Sequence, residues 1–327
     1  LRALLASRRR DAVAKRGLDE YVAAILGLDD LSGDSHVSRG SPERARNRLL
    51  ESVAIVEDPP RSVLRVRELD LEGPAGGIPA RFYEPPGLGM PSPGLVYLHG
   101  GGWVVGDLDS HDALCRRFAL DAGLRVVSVA MRLAPEHPCP AAIEDSVAAF
   151  RQVVQRSAEL GIDAARLGVG GDSAGGNLSA LVALETRHDA TRPALQVLLY
   201  PAVDLTCSAA SHRELAEGYM LDKHAIDWYL RHYLGNRPEL RADPRVSPLF
   251  APDLTGVAPA LVVIASFDPL RDEGIAYADR LEAAGVPVER QICPSLIHGF
   301  ALMTGILPAA REATAKLVRR TGELLRQ

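Results

Sequence analysis

Arg166-Leu-Gly-Val-Gly-Gly171-Asp172-Ser173-Ala174-Gly175-Gly176-Asn177-Leu178 decides the fold. A short apolar strand runs into Gly-x-Ser-x-Gly, and a helix rich in Leu, Ala and Val follows over Gly175 to Thr186. A serine pushed out at so tight a strand-to-helix turn needs neighbours without side chains, which Gly171 and Gly175 supply. The helix N-terminus behind Ser173 presents backbone N–H groups and the positive end of a dipole to the reacting oxygen. Two other readings of a glycine-rich turn fail. A phosphate loop needs Gly-Lys-Ser/Thr, and Asn177 stands where the Lys would be. A dinucleotide fingerprint needs a glycine where Ser173 sits.

Upstream, Leu95 to Leu98 is apolar at consecutive positions, as in a strand buried on both faces. It leads into His99-Gly100-Gly101-Gly102-Trp103. Successive glycines let bare N–H groups approach a developing oxyanion, so Gly101, Gly102 and Ala174 are the expected donors.

A serine nucleophile needs a histidine base, and the base needs a carboxylate to orient it. For this kind of turn the chain order is Ser, then Asp or Glu, then His. His188 ends the helix after Ser173, and His212, His224 and His232 read as surface residues. His298, in a loop after the last strand, is the candidate base. Leu261 to Ala265 runs into Ser266-Phe-Asp268, which makes Asp268 the candidate acid. Asp204 and Asp272 are its rivals, Asp272 in the position of a helix cap. The rate is then expected to rise with pH through the imidazole range, about 6.5.

The same alternation extends over the chain. Strands are expected at 66–71, 78–83, 95–98, 126–130, 167–169, 197–199, 261–265 and 289–293, with helices at 112–122, 141–155 and 309–325 between and after them. That pattern specifies an α/β fold with a mostly parallel eight-stranded sheet flanked by helices and an antiparallel first edge. Residues 1–50 and 203–250 fall outside it. The second holds Tyr219, Trp228, Tyr229, Tyr233 and Phe250, a large share of the few aromatics, as a lid or binding loop would. His99, Trp103, Tyr219 and Trp228 are candidates for contact with substrate.

These motifs resemble the hormone-sensitive-lipase-like esterases. The match rests on His99-Gly-Gly-Gly-Trp103, Gly171-Asp-Ser-Ala-Gly-Gly176, Tyr200-Pro201, Asp268-Pro-Leu-Arg-Asp272 and His298-Gly-Phe300, and spans roughly 65–325. The resemblance implies an α/β-hydrolase core at 51–202 and 251–327. It also implies a helical cap built from residues 1–50 and 203–250, action on short- to medium-chain acyl esters, no cofactor and, in many members, a homodimer. The same scaffold also cleaves amides, so a peptidase stays open, as does a non-catalytic receptor.

Bulk composition excludes other classes. Lys plus Arg is 37 against 42 Asp plus Glu, a net charge of −5, which gives no footprint for nucleic acid. Arg8-Arg9-Arg10 is too short to make one and reads as a solvated helix face. No run reaches the roughly 18 apolar residues of a membrane span, and the apolar run at the N-terminus is too short for a signal peptide. Cys115, Cys139, Cys207 and Cys293 lack metal-site spacing and read as buried thiols, so no metal is expected and a cytoplasmic protein is.

Overall fold

The computed structural model describes residues 17–32 and 40–327; Arg8-Arg9-Arg10 and most of the first expected cap segment's opening lie outside them. Eight strands form one sheet: β1 (Arg65–Gly73), β2 (Gly76–Glu84), β3 (Ser92–Leu98), β4 (Arg125–Val129), β5 (Ile162–Asp172), β6 (Gln196–Leu199), β7 (Ala260–Phe267) and β8 (Val288–Ile297). Their order is β1-β2-β4-β3-β5-β6-β7-β8. The β1–β2 and β2–β4 pairs are antiparallel and the rest are parallel. The β1–β2 hairpin turns tightly between Gly73 and Gly76, which oppose each other.

Among the described residues, eight longer helices accompany the sheet: α1 (Glu20–Ser32), α2 (Pro42–Val56), α3 (Asp112–Ala122), α4 (Ala141–Gln155), α5 (Ala174–Glu185), α6 (Lys223–Leu234), α7 (Arg271–Ala283) and α8 (Pro308–Arg326). Every residue of β3 and β4 is buried, because helices cover both faces of the sheet centre. One apolar cluster joins α3 and α8 to the sheet through Tyr97, Phe118 and Leu317; another joins α4 and α5 to the opposite face through Val96, Phe150 and Leu178. Burying each such side chain contributes about 1.5–3 kcal/mol. The central strands therefore form a rigid platform, and Ser173, Asp268 and His298 directly follow the C-terminal ends of β5, β7 and β8.

Helix α2 is anchored at that end of the sheet. Ser41 caps its N-terminus and Pro42 occupies the first turn. The Arg46 guanidinium donates to Val104 O at 2.9 Å and Ala134 O at 3.0 Å, and pairs with Glu136 at 2.6 Å. At its other end Glu57 is buried with Oε1 lacking a hydrogen-bond partner among the described residues. Burial pushes its carboxyl up to about 8, against the opposing pull of Arg117. A folded pKa above the unfolded one means stability is fully present below about 4.5 and lost as pH rises towards 8. Glu57→Gln is thus expected to melt progressively higher than the parent between pH 5 and 8, with little difference near pH 4. Parallel melting curves over this range would contradict it.

Candidate active site

The elbow between β5 and α5 is built by close contact with the end of β3. A Cβ on Gly171 would stand 2.2 Å from Leu98 O, and one on Gly175 only 1.9 Å. Glycine at both places lets the turn press against β3, and Ser173 between them takes φ 54°, ψ −116°, a left-handed conformation rare for a residue with a side chain. The strain is held by Ser173 N–H donating to Leu199 O at 2.8 Å and by Asn177 N–H donating to Ser173 O at 3.0 Å.

His298 reaches this serine from the loop after β8. Its Nε2 lies 2.9 Å from Ser173 Oγ, and its Nδ1 lies 2.7 Å from Asp268 Oδ2. Asp268 follows β7 directly, is buried, and accepts a second bond on Oδ1 from Leu270 N–H at 2.8 Å. The Tyr200 ring stands edge-on to the imidazole, with centroids 4.8 Å apart. Both rivals of Asp268 are engaged elsewhere. Asp204 accepts from Thr206 and Ser208 in its own turn, and Asp272 pairs with Arg271 and accepts from Ser211 N–H.

The glycine loop after β3 faces the elbow. Each of its glycines is required by a different neighbour: a Cβ on Gly100 would meet the Asp172 carboxylate at 2.3 Å, one on Gly101 Val105 O at 2.2 Å, and one on Gly102 the Tyr229 ring at 2.2 Å. Gly101 and Gly102 have φ of 114° and 58°. Among the described residues the N–H groups of Gly101 and Gly102 make no hydrogen bond. Ala174 N–H opens α5, where no helical carbonyl precedes it.

Asp172, beside the nucleophile, joins the loop to the elbow. Its Oδ1 accepts from Gly100 N–H and from the Tyr97 hydroxyl, both at 2.9 Å, and lies 3.2 Å from His111 Nε2. Burial works against this carboxylate, but His111 and the two donors outweigh it and hold its pKa below the ordinary value. These contacts fix where Gly100 to Gly102 stand relative to Ser173.

A family described as the alpha/beta hydrolase fold matches residues 95–302. The chain belongs to the hormone-sensitive-lipase-like α/β-hydrolases. Carboxylic ester hydrolase LipN of Mycobacterium tuberculosis is 46% identical over 282 residues, 84% of this chain and 73% of that protein. Ethyl acetate hydrolase of Pseudomonas putida is 40% identical, over 84% of this chain and 88% of its own. An alpha/beta hydrolase enzyme from the metagenome of Lake Arreo superposes with a TM-score of 0.89 at 39% identity, over 94% of this chain and 98% of that one. The hyperthermophilic esterase from Pyrobaculum calidifontis gives 0.85 at 36%, over the same shares.

In this α/β-hydrolase a cavity of about 390 Å³ opens above Ser173 and His298. Its walls come from α1 and α2 (Ile25, Leu49, Val53), from the 203–250 segment (Met220, Ile226, Tyr229), and from the glycine loop. Of the four expected substrate contacts, only Trp103 lines it, stacked on Tyr233 with centroids 4.4 Å apart. The other three are corrected. His99 is buried beneath the loop, its Nδ1 2.8 Å from Gly100 O, and burial beside His111 pushes it down to about 4. Tyr219 stacks on Phe267, and Trp228 packs edge-on to Tyr229 and His232. Their neighbours Met220 and Tyr229 line the cavity instead.

His212 is a further correction. It is 8% exposed rather than a surface residue, and its Nε2 lies 2.6 Å from Glu273 Oε2. His188 and His224 are exposed. All four cysteines are free; Cys115, Cys139 and Cys293 are buried, and Cys207 is only partly so. No described helix is long and apolar enough to cross a membrane, and no group of metal-ligating side chains is found among the described residues.

Proposed function

We propose that this carboxylic ester hydrolase cleaves short- to medium-chain acyl esters through Ser173, His298 and Asp268, by way of an acyl-enzyme. The observation that carries the reading is the unbroken line Ser173 Oγ, His298 Nε2, His298 Nδ1, Asp268 Oδ2, with contacts of 2.9 and 2.7 Å. His298 takes the hydroxyl proton as Ser173 attacks the ester carbonyl, and Asp268 holds the ring in the required tautomer and stabilises the imidazolium. Negative charge on the former carbonyl oxygen is met by the N–H groups of Gly101, Gly102 and Ala174. His298 then gives its proton to the departing alcohol. Water repeats the sequence on the acyl group.

Substrate range follows from the walls. Helices α1 and α2, in and just beyond the expected 1–50 segment, and residues 203–250 act as a cap over an apolar space of about 390 Å³. The partner is a small-molecule ester, and the homodimer implied by the resemblance is part of the same reading. Across p-nitrophenyl esters, kcat/KM is expected to peak between acetate and hexanoate and to fall steeply by palmitate. Faster turnover of palmitate than of butyrate would overturn the bounded cavity. A fluorophosphonate is expected to add one adduct, on the peptide holding Ser173, and to abolish turnover in proportion. Full activity after complete labelling elsewhere, or cleavage of aminoacyl anilides in preference to esters, would defeat the proposal.

A further inference from the structure

The turn that carries Asp268 is gripped from the 203–250 segment at Pro269, Arg271, Asp272 and Glu273. The grip comes from a single helical turn, Ser211–Glu214. Ser211 is fully buried. Its Oγ donates to Pro269 O at 2.6 Å and accepts from Asp272 N–H at 3.2 Å, and its own N–H donates to Asp272 Oδ2 at 2.9 Å. His212 pairs with Glu273 at 2.6 Å, and Glu214 pairs with Arg271 at 2.8 Å. Glu273 Oε1 also accepts from Val203 N–H at 2.7 Å and Asp204 N–H at 3.1 Å, so the start of the segment is tied to the same turn.

The contact with Pro269 differs from the others in what lies across the peptide. Pro269 C=O and Leu270 N–H belong to one planar trans unit, in which they point in opposite directions. Leu270 N–H is the group that donates to Asp268 Oδ1 at 2.8 Å. Whatever fixes that carbonyl therefore fixes the N–H. The proline ring locks its own φ but leaves ψ, which swings the 269–270 peptide, to be set by contacts.

We propose that Ser211 is a positioning residue for ester cleavage, holding the Pro269–Leu270 peptide so that Leu270 N–H aims the Asp268 carboxylate at His298. The inference rests on the reading of Asp268 as the acid of the reaction. A run of hydrogen bonds then leads from Ser211 Oγ through Pro269 O, Leu270 N–H, the Asp268 carboxylate and the His298 ring to Ser173 Oγ. Each bond polarises the next, because a carbonyl that accepts a hydrogen bond makes the N–H of its own peptide a better donor. With Oδ1 held, Oδ2 faces His298 Nδ1 in one orientation, and the ring keeps the tautomer that the reaction uses. Without the hold, the carboxylate turns about its last bond and offers Nδ1 a poorer acceptor. Ser211 stands outside the cavity lining, so its effect belongs in kcat and not in KM.

The test is a double-mutant cycle on the full chain with p-nitrophenyl butyrate. Asp268→Asn alone is expected to lower kcat by about 10⁴-fold. Ser211→Ala alone should lower kcat by about 10²-fold, with KM changed less than about twofold. Beside Asp268→Asn, the same Ser211→Ala change should cost less than about twofold, because the carboxylate it aims is already gone. A hydroxyl that only held the fold would cost as much in either background, and an equal loss in both overturns the inference. So does a folded Ser211→Ala protein with parental kcat, or one whose loss lies in KM. Circular dichroism and melting temperature report the folding of each variant. Where Ser211→Ala does not fold, the cycle is run with Asp272→Ala, which removes the half-buried carboxylate holding Ser211 N–H. A loss of kcat that disappears beside Asp268→Asn then supports the inference, and an additive loss overturns it. Near-parental turnover in Asp268→Asn sinks the acid assignment and the inference with it, whereas additivity sinks the inference alone.

Discussion

Replacing Ser173 by alanine is expected to lower kcat on p-nitrophenyl butyrate by about 10⁴-fold or more, with the melting temperature changed by no more than a few degrees. Among the described residues the hydroxyl's only hydrogen-bond partner is His298 Nε2 at 2.9 Å, so its loss removes the proposed nucleophile without opening a cavity in the core. Alanine keeps the Cβ, so the left-handed φ of 54° is strained in both proteins and cancels in the comparison. A residual rate above that of water should persist, because the N–H groups of Gly101, Gly102 and Ala174 are untouched. Near-parental turnover in a folded Ser173→Ala protein would mean that another group attacks the ester.

Gly102→Ala is expected to cost about 10²–10³-fold in kcat, with a smaller change in KM. The added methyl would stand 2.2 Å from the Tyr229 ring on α6, and a φ of 58° is disfavoured for alanine. The loop must move, and moving it displaces the Gly102 N–H from the oxyanion. Adding Tyr229→Ala makes room for the methyl but leaves the backbone conformation strained, so only part of the rate should return. Paired measurements of fluorophosphonate labelling and melting temperature distinguish a misplaced donor, which slows labelling in a stable protein, from a loss of fold. An unchanged kcat would remove Gly102 from the donors.

The groups proposed to react could be read in the sequence because each is tied to a local backbone demand. Gly171 and Gly175 betray a turn that admits no side chain, and Gly100 to Gly102 betray a backbone pressed on three sides. Asp268 and His298 could be picked out because each directly follows a strand, and strand ends share one edge of the sheet. The strand positions followed from apolar runs, though β5 begins at Ile162, five residues before the apolar Leu167 that marks it in the sequence.

What was not legible depends on long-range pairing and on helix rotation. His212 lies among polar residues and reads as exposed; only its partner Glu273, 61 positions on, makes it a buried residue. Aromatic density marked the 203–250 segment, but density cannot say which side of α6 turns inward, and the choice between Trp228 and Tyr229 is one residue wide. Tyr219 and Met220 divide in the same way, at a backbone turn where Met220 has φ 71°. Asp172 was overlooked because its neighbour Ser173 explains the motif so fully. The signal was present: an acidic residue at the buried end of a strand needs donors, and Gly100 and Tyr97 are those within reach.

The groups proposed to react hang from β3, β5, β7 and β8, whereas a large part of the enclosing wall belongs to α1, α2 and α6, reached through separate stretches of chain. On the proposed reading, selectivity and turnover are carried by different parts of the polypeptide. Grafting the enclosing helices of a distant relative onto this platform is expected to trade one repertoire of acyl groups for another while the chemistry stays in place, provided the donor segment retains an arginine to grip Val104 and Ala134 as Arg46 does.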